Sequence, residues 1–308
     1  MAGDCHIVRG NVTVIAGAPG IGKSRALTAM AYAGATESEW FGLRVHRKFK
    51  TAIIQNENGL YRLSKEFAEI KGDGLDDFMR ISSPPPFGMA FGDPGFRAAL
   101  ADWLAEFGPD VVALDPWNSA ARDDKHRDYW ETFNCLKETL PKGEQAPALV
   151  IVAHTKKPQG DLRKRGRALL AEVAGSYVLI SVPRCVFVMQ AASDDPQDDR
   201  IVWTCSKNND GEEGPRTAWH RRNGLFAPCH DFDWESFDGP AERRRTITID
   251  DLDALFDSGS RKLARPKAVA ELMEQTQLNK TACYDALKLD GKFSEHLAIS
   301  DGLLEWRP

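Results

Sequence analysis

Gly17-Ala18-Pro19-Gly20-Ile21-Gly22-Lys23-Ser24 decides how the rest of this chain is read. The stretch satisfies G-x-x-x-x-G-K-[ST], a loop whose successive backbone N–H groups turn inward to cradle phosphate oxygens. In such a loop Lys23 reaches the β- and γ-phosphates, and the Ser24 hydroxyl holds Mg²⁺. Its surroundings agree. Asn11-Val12-Thr13-Val14-Ile15-Ala16 is a short β-branched run that ends at the loop, and Arg25-Ala26-Leu27-Thr28-Ala29-Met30-Ala31 reads as helix. Strand, glycine-rich loop and helix are what phosphate capture requires. The expectation is a site for ATP and Mg²⁺ made by Gly17, Ala18, Pro19, Gly20, Ile21, Gly22, Lys23, Ser24 and Arg25.

Composition narrows the remaining classes. With 308 residues there is room for one large domain and a small one. A net charge of −5 gives no overall attraction to nucleic acid, so any such site must be a local patch. The six cysteines form no C-x-x-C pair, which favours reduced thiols over a disulfide frame. Cys5-His6 and Cys229-His230 have a spacing that fits no common zinc site. No stretch approaches the length of a membrane span, and the N-terminus lacks a signal-peptide pattern. A cytoplasmic location without membrane contact is therefore expected.

Working outward from the loop, Thr51–Gln55 is the next buried strand, and it runs into Asn56-Glu57-Asn58-Gly59. Glu57 then sits at a strand's C-terminal tip, where open α/β sheets place their ligands. A short strand is expected at Phe78–Ile81. Phe96, Leu100, Trp103, Leu104 and Phe107 share one face of a helix over Pro94–Phe107. Val111-Val112-Ala113-Leu114-Asp115 is an apolar run ending in a carboxylate, and Asp115 would accept from a Mg²⁺-bound water. Tyr129–Leu140 is amphipathic, and Ala148–Ala153 is a further buried strand leading to His154. That histidine is either a hydrogen-bonded rim residue or a polar sensor of the γ-phosphate. Between 156 and 167, Lys156, Lys157, Arg163, Lys164, Arg165 and Arg167 face a single acid, Asp161. A basic loop there could be a solvated face or could meet nucleic-acid phosphates.

Leu169–Ile180 reads as helix. Arg184–Gln190 and Ile201–Ser206 read as strands joined by an acidic, exposed tip at 194–199, and Thr217–His220 as another strand. Alternating β and α elements followed by hairpins describe a mostly parallel sheet with an antiparallel extension. A linker is expected around 228–246, giving an ATPase domain over 1–240 and a small domain over 241–308. In the latter, Thr248-x-x-Asp251 resembles a capping box, Pro266 opens a second helix, and Asn279 caps a third. With the closing Leu303–Trp306 strand this reads as a helix-turn-helix with a wing. From 261 to 308 there are eight Lys/Arg and seven Asp/Glu, and helical modules that bind only protein look alike.

Taken together, the 17–24 loop, Glu57, Asp115, His154 and Lys207 make residues 10–226 resemble the RecA-like ATPases, especially the RepA-type hexameric replicative helicases and their phage and mobile-element relatives. The resemblance implies an α/β P-loop core in which Glu57 polarises the attacking water, Asp115 serves Mg²⁺ and His154 senses the γ-phosphate. It also implies that the basic loop contacts single-stranded or duplex DNA, and that a homo-hexamer places each nucleotide at a subunit boundary. Relatives often carry Lys-Asn-Arg late in the core, whereas this chain has Lys207-Asn208-Asn209. Lys207 and Arg216 are then the nearest cations that could reach a neighbour's nucleotide. The resulting expectation is a DNA-dependent, helicase-like ATPase. Its rivals are a DNA-binding regulator switched by ATP and a small-molecule kinase.

Overall fold

The computed structural model describes the chain apart from residues 86–87, 121–125, 157–162, 223, 240–246, 258–260, 277, 279 and 308, and apart from the side chains at 60, 126 and 281. Lys157, the 243–245 arginine run and Asn279 are therefore outside the described residues. The chain divides into two compact units, Met1–Phe237 and Asp238–Pro308.

The first unit opens with strand β1 (Val12–Gly17), helix α1 (Lys23–Thr36), β2 (Thr51–Gln55), α2 (Leu60–Phe67), β3 (Met79–Ile81), α3 (Pro94–Phe107), β4 (Val111–Asp115), α4 (His126–Thr139) and β5 (Ala148–His154). It continues through α5 (Val178–Ser181), β6 (Cys185–Ala191), β7 (Arg200–Asn208), β8 (Thr217–Arg222), β9 (Leu225–Pro228) and α6 (Trp234–Asp238). Nine strands form one sheet in the order β3-β2-β4-β5-β1-β6-β7-β8-β9. The six from β3 to β6 are mutually parallel, and β7, β8 and β9 extend them antiparallel. This is the mostly parallel sheet with an antiparallel extension that the strand pattern predicts.

The apolar runs of the central strands follow from burial on both faces. On one face Val14, Val112, Leu114 and Ile151 meet Leu100 and Leu104 of α3 and Phe133 and Leu136 of α4. On the other, Ile15, Ala113, Val150 and Val152 meet Leu27 and Met30 of α1. There the loop after α1 is buried as well: Phe41 stacks on Trp203 at 4.1 Å, and the Trp40 indole N–H donates to the Ala26 carbonyl at 3.0 Å.

Because β1, β2, β4 and β5 run the same way in register, their last residues fall on one edge. Gly17 pairs with His154, and Gln55 with Asp115. That edge is where the sequence places its chemistry. The helix expected over 169–180 is instead a 3₁₀ stretch at Gly166–Glu172 followed by the short α5. Its backbone is drawn to β5: Lys156 N–H donates to the Glu172 carbonyl at 2.7 Å, and Ala174 N–H to that of His154 at 2.8 Å.

The second unit contains α7 (Ile249–Asp257), β10 (Lys262–Leu263), α8 (Arg265–Thr276), α9 (Lys280–Ala286), β11 (Leu297–Ser300) and β12 (Leu303–Trp306), with the three strands ordered β10-β12-β11. Leu252, Phe256, Val269, Leu272, Leu287 and Trp306 make its core. The capping box forms: Thr248 N–H donates to Asp251 Oδ2 at 2.9 Å, and Asp251 N–H to the Thr248 hydroxyl at 3.3 Å. Thr248→Ala is expected to destabilise this unit by about 1 kcal/mol in urea denaturation, while Thr248→Ser should retain most of it.

Candidate functional site

Where β1 ends, the chain must turn sharply enough to aim N–H groups back at a bound anion. Gly20 and Gly22 do this with φ of +75° and +105°, values that strain any residue with a Cβ. At Gly22 a Cβ would also come within 3.3 Å of Arg221 Cδ. Helix α1 then begins without a side-chain cap or an acid in its first turn, so its free N–H groups and positive dipole end are left for an anion.

Lys23 is only 7% exposed. Its ammonium donates to the Gly17 and Ala18 carbonyls at 2.9 and 2.8 Å and lies 3.3 Å from His154 Nδ1. Burial lowers its pKa to about 8, against partial compensation from Asp115 and Glu57. Burial and the nearby Lys23 charge lower the His154 pKa as well, which favours the neutral ring beside the ammonium. Asp115 is almost fully buried; desolvation pushes its carboxyl up, while a hydrogen bond from Ser24 works the other way. The Ser24 hydroxyl and Asp115 carboxylate are an all-oxygen pair of the kind a hard cation such as Mg²⁺ selects.

Glu57 is presented by a loop that Gln55 fastens. The Gln55 amide donates to the Asn58 and Ser82 carbonyls at 2.8 and 2.9 Å and accepts from Asn58 N–H at 2.7 Å. These side chains surround a cleft of about 400 Å³, lined by Pro19, Gly20, Gly22, Lys23, Ser24 and Arg25 from the loop and by Glu57, Asp115, Pro116 and His154 from the sheet edge. Gly17, Ala18 and Ile21 do not line it: the first two hold the Lys23 ammonium through their carbonyls, and Ile21 faces the core.

Three residues that sequence reasoning missed complete the cleft: Arg62, Asp199 and Arg221. Arg221, on β8, donates to the Gly20 carbonyl at 3.1 Å and to those of Asp198 and Asp199 at 2.8 and 3.2 Å. Three of its five N–H donors are thereby used, leaving two for an anion. Residues 194–197 of the acidic tip are exposed as expected, whereas Asp198 and Asp199 are held by Arg221. Asp198 forms a two-pronged pair with Arg200, and Asp199 lines the cleft.

Lys207 and Arg216 lie elsewhere. The Lys207 ammonium donates to the Ile180 carbonyl at 2.7 Å, and the Arg216 guanidinium rests 4.4 Å from the Trp234 ring centre. The described residues of the basic stretch are also engaged within the chain. Lys156 donates to the Ala171 carbonyl, Arg163 to those of Ala191 and Ala192, Lys164 lies 3.9 Å from Glu172, and Arg167 pairs with Glu213 at 2.8 Å. Arg165 likewise has an interaction partner.

The Lys23 pKa gives this site a pH signature. Phosphate oxygens stabilise the charged ammonium, so binding raises its pKa above the free value of about 8. ATP affinity is therefore expected to be level below that pH and to fall by up to about tenfold per unit above it. Titration calorimetry across neutral and alkaline pH would reveal the decline, and a flat profile through pH about 10 would count against the phosphate contact.

Among the described residues, no helix is long and apolar enough to cross a membrane. No curated protein matches the chain. Its structure is similar to that of a KaiC-like protein from the hyperthermophilic archaeon Pyrococcus horikoshii OT3, with a TM-score of 0.50 at 13% identity over 72% of this chain and 91% of that one. That likeness speaks for the fold. The AAA domain profile matches residues 3–160, just over half of the chain. With the strand order, the glycine-rich loop and the convergent cleft, this identifies the chain as a member of the AAA-domain family and a RecA-like P-loop ATPase.

Proposed function

We propose that this ATPase couples hydrolysis in the Lys23–Glu57–Asp115 cleft to DNA. The observation that carries the catalytic part is the convergence of a phosphate-binding loop, a Ser24–Asp115 oxygen pair and a separately anchored carboxylate, Glu57, on one cleft. Mg²⁺ held by Ser24 and Asp115 would neutralise charge on the phosphates. Lys23 holds the β- and γ-phosphates, Glu57 accepts hydrogen bonds from the attacking water and orients it in line, and His154 responds to the γ-phosphate through Lys23. Arg221 is the additional cation: Arg221→Ala should lower turnover by about 10²-fold or more with a smaller effect on ATP affinity, as for other preorganised charge stabilisers.

The DNA part rests on two segments. The 156–167 stretch, with Lys156, Lys157, Arg163, Lys164, Arg165 and Arg167, would meet single-strand phosphates, as the helicase resemblance implies. The second unit has the element order α-β-α-α-β-β and a three-stranded antiparallel sheet, which suits a winged helix reading duplex. The internal contacts of Arg163, Lys164 and Arg167 favour a second reading, an ATP-switched regulator that touches DNA through the C-terminal unit alone. The ATPase rate measured alone, with single strands and with duplex separates the two. Stimulation by single strands supports the helicase-like reading, and duplex binding that changes with nucleotide but leaves the rate unaltered supports the regulator.

Assembly into a hexamer with nucleotide at each boundary is part of the helicase-like reading, with Lys207 or Arg216 reaching a neighbour's phosphate. Turnover per chain that climbs with protein concentration would support it. A flat profile would leave Arg221 as the cation acting within one chain.

A further inference from the structure

On the hairpin that carries Arg221, three potential ligands with different donor atoms meet away from the nucleotide cleft. Strands β8 and β9 pair antiparallel, His220 opposite Ala227 and Trp219 opposite Pro228. Cys229 N–H donates to the Ala218 carbonyl at 2.9 Å, so Cys229 lies opposite Ala218. His220 is two positions along the strand from Ala218, with Trp219 between them, which puts His220 and Cys229 on the same face in diagonal positions. The residue opposite each is an alanine, leaving room between them. Asp231, two residues beyond Cys229, turns back so that its Oδ1 lies 3.5 Å from Cys229 Sγ. One ligand atom from each of His220, Cys229 and Asp231 lies within 4.8 Å of the others.

We infer that His220, Cys229 and Asp231 form a binding site for a divalent transition-metal ion of the zinc class. A nitrogen, a sulfur and an oxygen donor match the preferences of Zn²⁺ and its analogue Co²⁺, and set them apart from Mg²⁺, which takes oxygen alone. A tetrahedral ion at bond lengths of 2.0–2.3 Å holds its ligand atoms about 3.5 Å apart, the spacing Cys229 and Asp231 already have.

The histidine is oriented for the role. Its Nδ1 faces Asp199 Oδ1 at 2.9 Å with the Arg222 guanidinium beside it, so Nε2 is the nitrogen left for an ion. A carboxylate holding the far nitrogen of a ligating histidine fixes both ring orientation and tautomer. The nearby cations are already paired, Arg200 with Asp198 and Arg222 with Asp199. Binding replaces the Cys229 S–H bond with a sulfur–metal bond and releases one proton to solvent. The resulting thiolate and the Asp231 carboxylate balance the two positive charges of the ion. Three protein ligands leave a fourth position to water.

Cobalt titration of the full-length chain, with Mg²⁺ present to occupy oxygen-only sites, tests the assignment. The expected result is a thiolate-to-cobalt charge-transfer band with intense tetrahedral visible absorption, saturating at one equivalent and bleached by Zn²⁺. Cys229→Ser should abolish the charge-transfer band, and His220→Gln should weaken cobalt binding by more than about tenfold. Asp199→Asn, which alters the orienting hydrogen bond and the Arg222 pair but removes no ligand, should weaken binding by about 10–100-fold and retain the spectrum. Absence of the band in the unaltered chain would overturn the assignment without recourse to any variant. A band that survives Cys229→Ser would place the thiolate on another cysteine and overturn it equally.

Discussion

Glu57→Gln is expected to bind ATP about as tightly as the unaltered chain and to hydrolyse it about 10²–10⁴-fold more slowly, the usual contribution of a positioned base. The amide is the same size and keeps the loop that the Gln55 side chain fastens, so geometry is preserved. What it loses is the negative charge and the second acceptor oxygen that hold water in line with the γ-phosphate. Phosphate release under saturating ATP, paired with calorimetric binding, separates the two effects. Undiminished turnover would make Glu57 a strand-tip carboxylate and send the search for the base to Asp199, the remaining cleft acid once Asp115 is assigned to Mg²⁺ with Ser24.

Lys23→Ala is expected to act on the opposite parameter. The ammonium sits among the Gly17 and Ala18 carbonyls and His154, in a pocket dry enough to depress its pKa to about 8. Removing a buried, hydrogen-bonded charge that meets phosphates should cost about 2–5 kcal/mol of binding, which raises Kd by about 30–5000-fold. Stability should change little, because the desolvated lysine is itself costly to the empty fold. Calorimetry with ATP in Mg²⁺ is the test, and an unchanged Kd would mean the loop does not hold the phosphates.

The cleft was legible in the sequence as far as its residues lie at ends of parallel strands. Gly17, Asp115 and His154 each close an apolar run and Glu57 follows one by two residues, and such runs read as buried strands whose tips share an edge. Arg221 and Asp199 were not legible. They reach the loop only because β7 to β9 fold back antiparallel beyond β6, and the pattern Trp219-His220-Arg221-Arg222 gives a strand without saying which face meets Gly20. The same folding brings His220 near Cys229 across a hairpin, a proximity that the spacing of cysteines and histidines along the chain does not show. The helix expected over 169–180 failed for a related reason. Its apolar residues are spaced for a helix, but the backbone of 172–174 is committed to the end of β5.

Single-turnover mixing of an excess of the 308-residue chain with labelled ATP and Mg²⁺, with and without single-stranded DNA, tests most directly whether one chain's cleft both binds ATP and hydrolyses it. The expected result is conversion of all bound ATP to ADP and phosphate in the unaltered chain, bound but persistent ATP in Glu57→Gln, and acceleration by the single strand. ATP that stays bound and intact in the unaltered chain under every condition would contradict it.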